Sequence, residues 1–292
     1  MLRGPLKPLT WMGATDSFHR ADWVIVGIPY DGTTSFRPGT RFGPQAIRAM
    51  SWGIETYSPS ADATLDNVAY YDAGDLELPF GNRSKTLDII RHNAKDCLLQ
   101  GKKWLGLGGE HLVTYPVIQS YIEQYPDLGI LHFDAHADLR DEFMDEKYSH
   151  ATVMRRVVDL LDEKSAGNGH TRLVQVGIRS GTEDEFDWMH KNGTLIRKKD
   201  DLATALQKLK GRPVFLTIDL DVLDPSVMSG TGTPEPGGMR FKSLIHWLHA
   251  FSELNFVGAD VVELAPDYDP TGVSTMVAAK VVREIMLLNP AS

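Results

Sequence analysis

The sequence predicts an α/β fold in three layers, α-β-α, built around a largely parallel central sheet. Two observations predict it. Short apolar runs alternate with longer segments of helical period along the chain, and acidic and histidine clusters sit directly after several of those runs. A strand followed by a helix-length crossover returns parallel to itself and leaves helices on both faces of the sheet. With no linker, low-complexity tract or repeat to divide it, the chain is expected to form a single domain over residues 1–292.

The elements follow in order. Trp23-Val24-Ile25-Val26-Gly27-Ile28 reads as the first strand. Arg37-Pro38-Gly39-Thr40-Arg41-Phe42-Gly43-Pro44 reads as a loop, because Gly and Pro at that density exclude regular helix or central strand. Residues 84–100 have helical period, with Leu87, Ile90, Ala94, Cys97 and Leu98 on one stripe, and residues 104–107 are the next apolar strand. Helix 112–124, strand 128–133, helix 150–162 and strands 172–176 and 214–218 continue the alternation. A second loop, residues 230–238, precedes helix 240–253, strand 256–262 and a last helix over 273–288, where Val273, Val277, Val281 and Ile285 recur every fourth residue.

Composition narrows the function classes. Hydrophobic residues make up 42% and charged residues 24%, as in a globular protein with a sizeable core. The 39 acidic against 30 basic residues give a net charge of -9, which disfavours nucleic acid or an anionic membrane as partner and mildly favours cations. The one cysteine, Cys97, excludes an internal disulfide and lies in an apolar stripe as a packing residue. The N-terminal stretch, residues 1–13, has two prolines and no apolar run of signal-peptide length, and nothing approaches the roughly 18 apolar residues of a membrane span. A soluble, cytoplasmic protein is expected.

The chemistry lies in three clusters. Gly108-Gly109-Glu110-His111 follows one strand, Asp134-Ala135-His136-Ala137-Asp138 the next, and Asp219-Leu220-Asp221 a third, all at the carboxyl ends where open α/β sheets form sites. Each cluster alone has an ordinary reading as a solvated turn, a helix entry or a helix cap. Three arriving at one sheet edge do not. Imidazole with several carboxylates suits manganese, iron or zinc, and the absence of clustered cysteines argues against a structural zinc. The six candidates His111, Asp134, His136, Asp138, Asp219 and Asp221 include four carboxylates. That exceeds the need of one ion, so bridged metals about 3.5–4 Å apart are the natural inference. Alternate residues of D-x-H-x-D and D-x-D point the same way on extended chain. Gly106-Leu107-Gly108-Gly109 lacks the third glycine of a dinucleotide-binding loop.

These motifs resemble the signatures of the ureohydrolases, the arginase–agmatinase superfamily. The resemblance runs through Arg37–Pro44, Gly230-Thr231-Gly232-Thr233-Pro234 and Val262-Glu263-Leu264-Ala265-Pro266, in the family's order over nearly the whole chain. It is closest to bacterial agmatinases through Asp72-Ala73-Gly74-Asp75 and through Asp138-Leu139-Arg140 with Ser149-His150-Ala151-Thr152. The resemblance implies an arginase-like fold and two manganese ions per chain. One would be held by His111, Asp134, Asp138 and Asp219, the other by Asp134, His136, Asp219 and Asp221, and a bridging hydroxide would attack a guanidinium carbon. By the same resemblance Glu263 pairs with the guanidinium, Thr233 supports it, Asp138 carries a proton to the departing amine, and His150 shuttles protons and contacts substrate. Read alone, Glu263 is an ordinary strand-end carboxylate and His150 a surface residue at a helix start. His132 is expected to pack in the sheet, and His19, His92, His170, His190, His246 and His249 to be structural or surface groups.

The implied reaction is hydrolysis of agmatine to putrescine and urea, in polyamine synthesis, by a homotrimer or homohexamer acting on a small cationic guanidino substrate. The alternatives are the same chemistry on 4-guanidinobutyrate, guanidinopropionate or arginine, and, more remotely, an inactive binding or regulatory relative. Leu139-Arg140-Asp141-Glu142-Phe143 lacks the Asn and hydroxyls with which arginases read an α-amino-acid head. Arg140 in the pocket would repel an amine, whereas Asp141, Glu142, Asp145 and Glu146 would welcome one. Ala137 stands where many relatives have Thr, at a position that is not a ligand.

Overall fold

The computed structural model describes residues 9–197 and 201–288, so the first eight residues of the N-terminal stretch considered above lie outside the described residues. The strands are β1 (Trp23–Ile28), β4 (Tyr70–Asp75), β5 (Lys103–Gly108), β6 (Gly129–Phe133), β7 (Leu173–Val176), β8 (Leu195–Ile196), β9 (Pro213–Asp219) and β10 (Asn255–Val262), while β2 (Tyr57–Ser58) and β3 (Ala63–Thr64) form a small separate hairpin. The main sheet has eight strands in the order β4-β1-β5-β10-β9-β6-β7-β8, and every pairing in it is parallel.

Both faces are covered. Helices α1 (Gly43–Ser51), α6 (Leu202–Leu209), α7 (Phe241–Ala250) and α8 (Val273–Met286) contribute Ile47, Ala205, Leu248 and Val281 to one core. Helices α2 (Arg83–Leu99), α3 (Thr114–Gln124), α4 (Val153–Ser165) and α5 (Glu183–Asn192) contribute Ile90, Ile118, Val157 and Met189 to the other. Side chains of β1 alternate between them, Trp23 and Ile25 to the first, Val24, Val26 and Ile28 to the second. A strand buried on both sides needs no polar face, which is why β1 reads as an unbroken apolar run and β6 carries a single polar side chain, the buried His132. This is the three-layer α/β architecture of the sequence reading.

Some elements had no such signal. β4 is an edge strand carrying Asp72 and Asp75, charges that the buried Arg48 of α1 takes up, and β8 is two residues long. Helix α1 starts at Gly43 inside the segment read as loop. Pro44 fits its first turn, where a missing N–H costs nothing. A Cβ on Gly43 would stand 2.8 Å from Leu264 O and 3.0 Å from Gly108 O, so only glycine lets this helix abut the ends of β10 and β5. Helices α5 and α6 were also not anticipated, and helix 150–162 begins as a 3₁₀ turn, His150–Thr152, before α4. Cys97 is buried as a packing residue, and burial pushes its thiol up to about 12. No described helix is long and apolar enough to cross a membrane.

The consequence for function is positional. β5, β10, β9 and β6 stand side by side at the centre of the sheet, so the four segments leaving their carboxyl ends converge.

Candidate metal centre

His111 enters from the turn after β5. Gly109 makes that turn possible, because a Cβ there would lie 2.2 Å from Tyr30 O. The turn is tied down by Gly109 N donating to Ile28 O and Glu110 N to Tyr30 O. The buried His111 Nδ1 faces Asp134 Oδ2 at 3.0 Å, Asp138 Oδ2 at 3.3 Å and Asp219 Oδ2 at 3.4 Å, yet makes no hydrogen bond of proper geometry. His136 Nδ1 faces Asp221 Oδ2 at 3.0 Å and Asp134 Oδ1 at 3.6 Å. Asp134 therefore presents one oxygen to each imidazole. Two sets of ligand atoms, His111 with His132 and Asp134, and Asp134 with His136 and Asp221, each fall within 4.8 Å.

The other contacts orient these groups. Asp221 Oδ1 accepts from Ala135 N and Oδ2 from the Thr233 hydroxyl, while Asp219 Oδ1 accepts from Asp221 N. Asp134 also accepts from His136 N and contacts His132 Nε2 at 2.8 Å. His132 is buried in β6, with Gln175 on its other ring nitrogen, so it packs in the sheet and also touches the centre. Asp138 and Glu263 have φ of 55° and 67°, a left-handed backbone that is strained for residues with a Cβ and that collects at functional sites.

Four buried carboxylates at one point repel one another. Burial, then the charges of Asp221 and Asp134, pushes Asp219 well above the usual carboxylate range. Burial and the Asp134 charge push Asp138 up to about 7. Burial also acts on Asp134, but the close imidazoles of His111, His132 and His136 prevail and hold it well below that range. On His136, burial is outweighed by Asp221 and Asp134, which push it up to about 12. An imidazole nitrogen with three carboxylate oxygens around it and no hydrogen bond is the arrangement of donor atoms converging on a cation. These residues fit a divalent metal.

His111, His136, Asp138, Asp219, Thr233, Glu263 and His150 all line one cavity of about 210 Å³, with Asp134 and Asp221 hydrogen-bonded beneath it. That volume falls below the about 300–1,000 Å³ typical of sites for drug-sized ligands, which suits a small substrate. Glu263 Oε1 accepts from His111 N at 2.8 Å, and its Oε2 would be 3.4 Å from a Cβ on Gly232. Burial and the Glu110 charge raise Glu263 well above its ordinary value. His150 Nε2 lies 3.1 Å from the Ser35 hydroxyl, its ring meets Phe143 edge-on, and burial lowers it to about 4.

Several residues here carried no expectation. Ser35 lines the cavity, and the buried Glu110 accepts from Thr33 N and from the Thr33 and Thr34 hydroxyls, anchoring the loop that delivers Ser35 to His150. A carboxylate beside a candidate ligand inside a glycine-rich turn was the available signal. Arg140 does line the cavity, but its guanidinium lies over the Phe143 ring and beside Glu185 at 3.6 Å. Asp141 and Glu146 do not meet the expectation of welcoming an amine, because they pair outside the cavity with Arg156 and Arg83, and Glu142 and Asp145 do not line it either.

The Arginase family model matches residues 21–288. An agmatinase of Bacillus anthracis is 47% identical over 276 residues, 93% of each chain, and an agmatinase of Bacillus subtilis (strain 168) is 44% identical over 282 residues, 95% of each. The solved structure of proclavaminate amidino hydrolase from Streptomyces clavuligerus superimposes with a TM-score of 0.87 at 31% identity, covering 97% of each chain. The likeness thus extends over nearly the whole chain, across relatives named for different substrates.

Proposed function

This chain belongs to the arginase family, and on that premise we propose that it is a manganese-dependent hydrolase of agmatine, yielding putrescine and urea. The observation that carries the metal-dependent reading is Asp134, whose two oxygens face the Nδ1 atoms of two different imidazoles. His111, Asp134, Asp138 and Asp219 would hold one ion, and Asp134, His136, Asp219 and Asp221 the other. The carboxylates that surround His111 Nδ1 are those of the first set, and Asp134 and Asp221 beside His136 belong to the second. Charge supports two ions as well: four carboxylates carry four negative charges, and two divalent cations neutralise them. When bound, such a pair supplies a water acidified to hydroxide near neutral pH and a Lewis acid for the substrate. This is needed because a resonance-stabilised guanidinium is a poor electrophile.

The chain's own groups do the rest. Glu263, anchored through Oε1 to His111 N, offers acceptors to the two parallel N–H groups of a planar guanidinium and so fixes its carbon above the ligand cluster. Asp138 faces both His111 and the cavity, where it accepts the proton of the attacking water and delivers it to the departing amine. His150, neutral at pH 7 because burial lowers it to about 4, relays protons between the Ser35 hydroxyl and the cavity. Thr233 holds Asp221 by its hydroxyl at the cavity wall.

Agmatine is favoured by the 44–47% identity to agmatinases over almost the full chain. The reading extends to polyamine synthesis in the cytoplasm, by one domain per chain assembled as a homotrimer or homohexamer. Urea release from agmatine, 4-guanidinobutyrate, 3-guanidinopropionate and arginine, each with manganese supplied, tests it. Agmatine is expected to give the highest kcat/KM, and preference for a carboxylate-ended substrate overturns the assignment. Metal analysis is expected to find two ions per chain; one or none, without urea, makes the chain a silent relative.

A further inference from the structure

Asp260 is a carboxylate at the centre of the sheet, fully buried in β10 between Ala259 and Val261. Its register partners are Gly106 in β5 and Thr217 in β9. Gly106 leaves it room, since a Cβ there would be 3.0 Å from the Asp260 Cβ. Among the described residues no lysine or arginine pairs with it, and neither oxygen makes a hydrogen bond of full geometry. The hydroxyls of Thr217 and Thr114 and the imidazole of His111 are the groups that offset its burial. A charge placed so deep is unfavourable unless it is paired or hydrogen-bonded.

Counting protons shows the use. His111 turns Nδ1 to the carboxylates of the metal centre and Nε2 to the Thr217 hydroxyl oxygen, 3.0 Å away. A neutral imidazole has one N–H. If Nδ1 keeps its lone pair for an ion, Nε2 carries the hydrogen and donates it to Thr217 Oγ1. Thr217, having accepted, has its own hydroxyl hydrogen to give, and Asp260, its register partner on the adjacent strand β10, is the carboxylate a small rotation of that hydroxyl would reach. Thr114, whose hydroxyl is 3.5 Å from that of Thr217, closes the other side at the start of α3. Run in reverse, the chain would oblige Thr217 to donate to Nε2 and leave Nδ1–H aimed at the ion.

We propose that Asp260, acting through Thr217, fixes the ring orientation and the Nε2–H tautomer of His111, so that both are positioning residues of the metal centre and not ligands. A carboxylate that orients a metal-bound imidazole through its second nitrogen is a general device, and here a threonine hydroxyl is interposed. The assignment rests on the reading of His111 as a ligand.

The test uses the full chain with Thr217→Val, which keeps the shape and removes the hydroxyl, Thr217→Ser, which restores it, and Asp260→Asn, which removes the charge. Manganese affinity is measured by competition with a chromophoric chelator, alongside the melting temperature of the metal-free protein. Thr217→Val and Asp260→Asn are expected to weaken binding about 10–100-fold, and Thr217→Ser to stay within about threefold of wild type. In zinc-loaded protein, nitrogen NMR is expected to show the His111 Nε2–H in wild type and its loss or exchange broadening in Thr217→Val. A merely structural role would lower the melting temperature without separating Val from Ser in metal affinity. Wild-type uptake matched within about threefold by folded Thr217→Val overturns this assignment alone, even if Asp260→Asn fails to fold. A wild-type chain that takes up no divalent ion overturns both the assignment and the reading beneath it.

Discussion

Replacing Glu263 by glutamine changes one group at the point where a guanidinium would sit. Glu263 Oε1 is already committed to His111 N at 2.8 Å, so the amide oxygen of glutamine takes that position and its NH₂ falls where Oε2 was, on the cavity side by Gly232. An acceptor facing two N–H donors becomes a donor facing them. Breaking one side of a buried, hydrogen-bonded ion pair costs about 3–5 kcal/mol, or about 10²–10⁴-fold in kcat/KM. Neither the fold nor the metals should suffer. Glu263 is buried and raised, and Glu110 and Asp221 repel its charge, so neutralising it relieves the metal-free protein. The assay is urea release at saturating manganese, with metal content and melting temperature measured on the same samples. Glu263→Gln that keeps full metal content and loses at least about 10²-fold in kcat/KM agrees with the reasoning. Loss of metal refutes the division of roles, and unchanged kcat/KM refutes the placement of the guanidinium.

Asp134→Asn should lower metal content and turnover together, because each oxygen of Asp134 serves a different imidazole; a variant with both ions and wild-type kcat would contradict the bridging role. Arg48→Ala should leave Asp72 buried without its cation and cost about 3–5 kcal/mol, a fall in melting temperature on the order of 10 °C, by calorimetry. Metal-free protein should lose stability as pH rises from 5 to 8. Glu110 and Asp138, pushed up to about 7, and Asp260, pushed up to about 6, stabilise fully below their unfolded values and lose that contribution as pH rises through the folded ones. His136, raised to about 12, acts in the same direction, whereas His150, lowered to about 4, acts against them only below about pH 6.5. Manganese should reverse the trend, since ligands bind deprotonated; melting curves at pH 5, 6.5 and 8 with and without metal decide.

The His–Asp cluster was legible because metal coordination would demand particular residue types, and strand ends present them at short, regular spacing. His111, Asp134, His136, Asp138, Asp219 and Asp221 need only be read as a set to stand out. The elements that escaped are short or mix charge with apolar residues; α6 has Leu202, Ala205, Leu206 and Leu209 at helical spacing, but over only eight residues. β4 mixes tyrosines with a buried Asp72 and an exposed Asp75, and the cation that lets Asp72 be buried there is Arg48, distant in sequence. Asp260 was visible as a charge within an otherwise apolar run, but which neighbour it faces depends on parallel register with β9, which no local pattern contains. Glu110 escaped because its partners, Thr33 and Thr34, lie 77 and 76 residues away.

The substrate's tail is the hardest case, because there the same residue argues either way until its direction is known. Arg140 alone suggested repulsion of an amine. Its guanidinium is in fact held between the face of Phe143 and Glu185, whose carboxylate is only 5% exposed and already accepts from Leu139 N and Thr182 N. A carboxylate-ended substrate that recruits Arg140 would compete for that cation with Glu185, a buried carboxylate left with its two backbone N–H donors alone. The attraction gained at the cavity mouth is screened by solvent, and the charge exposed beneath it is not. An ammonium makes no such demand: it meets an arginine whose charge is partly offset by Glu185 at 3.6 Å. The pair Arg140–Glu185 therefore removes the objection that Arg140 raised, and it does so by geometry that the sequence Leu139-Arg140-Asp141-Glu142 could not disclose, since the carboxylate that matters is on α5, not among the acids next door.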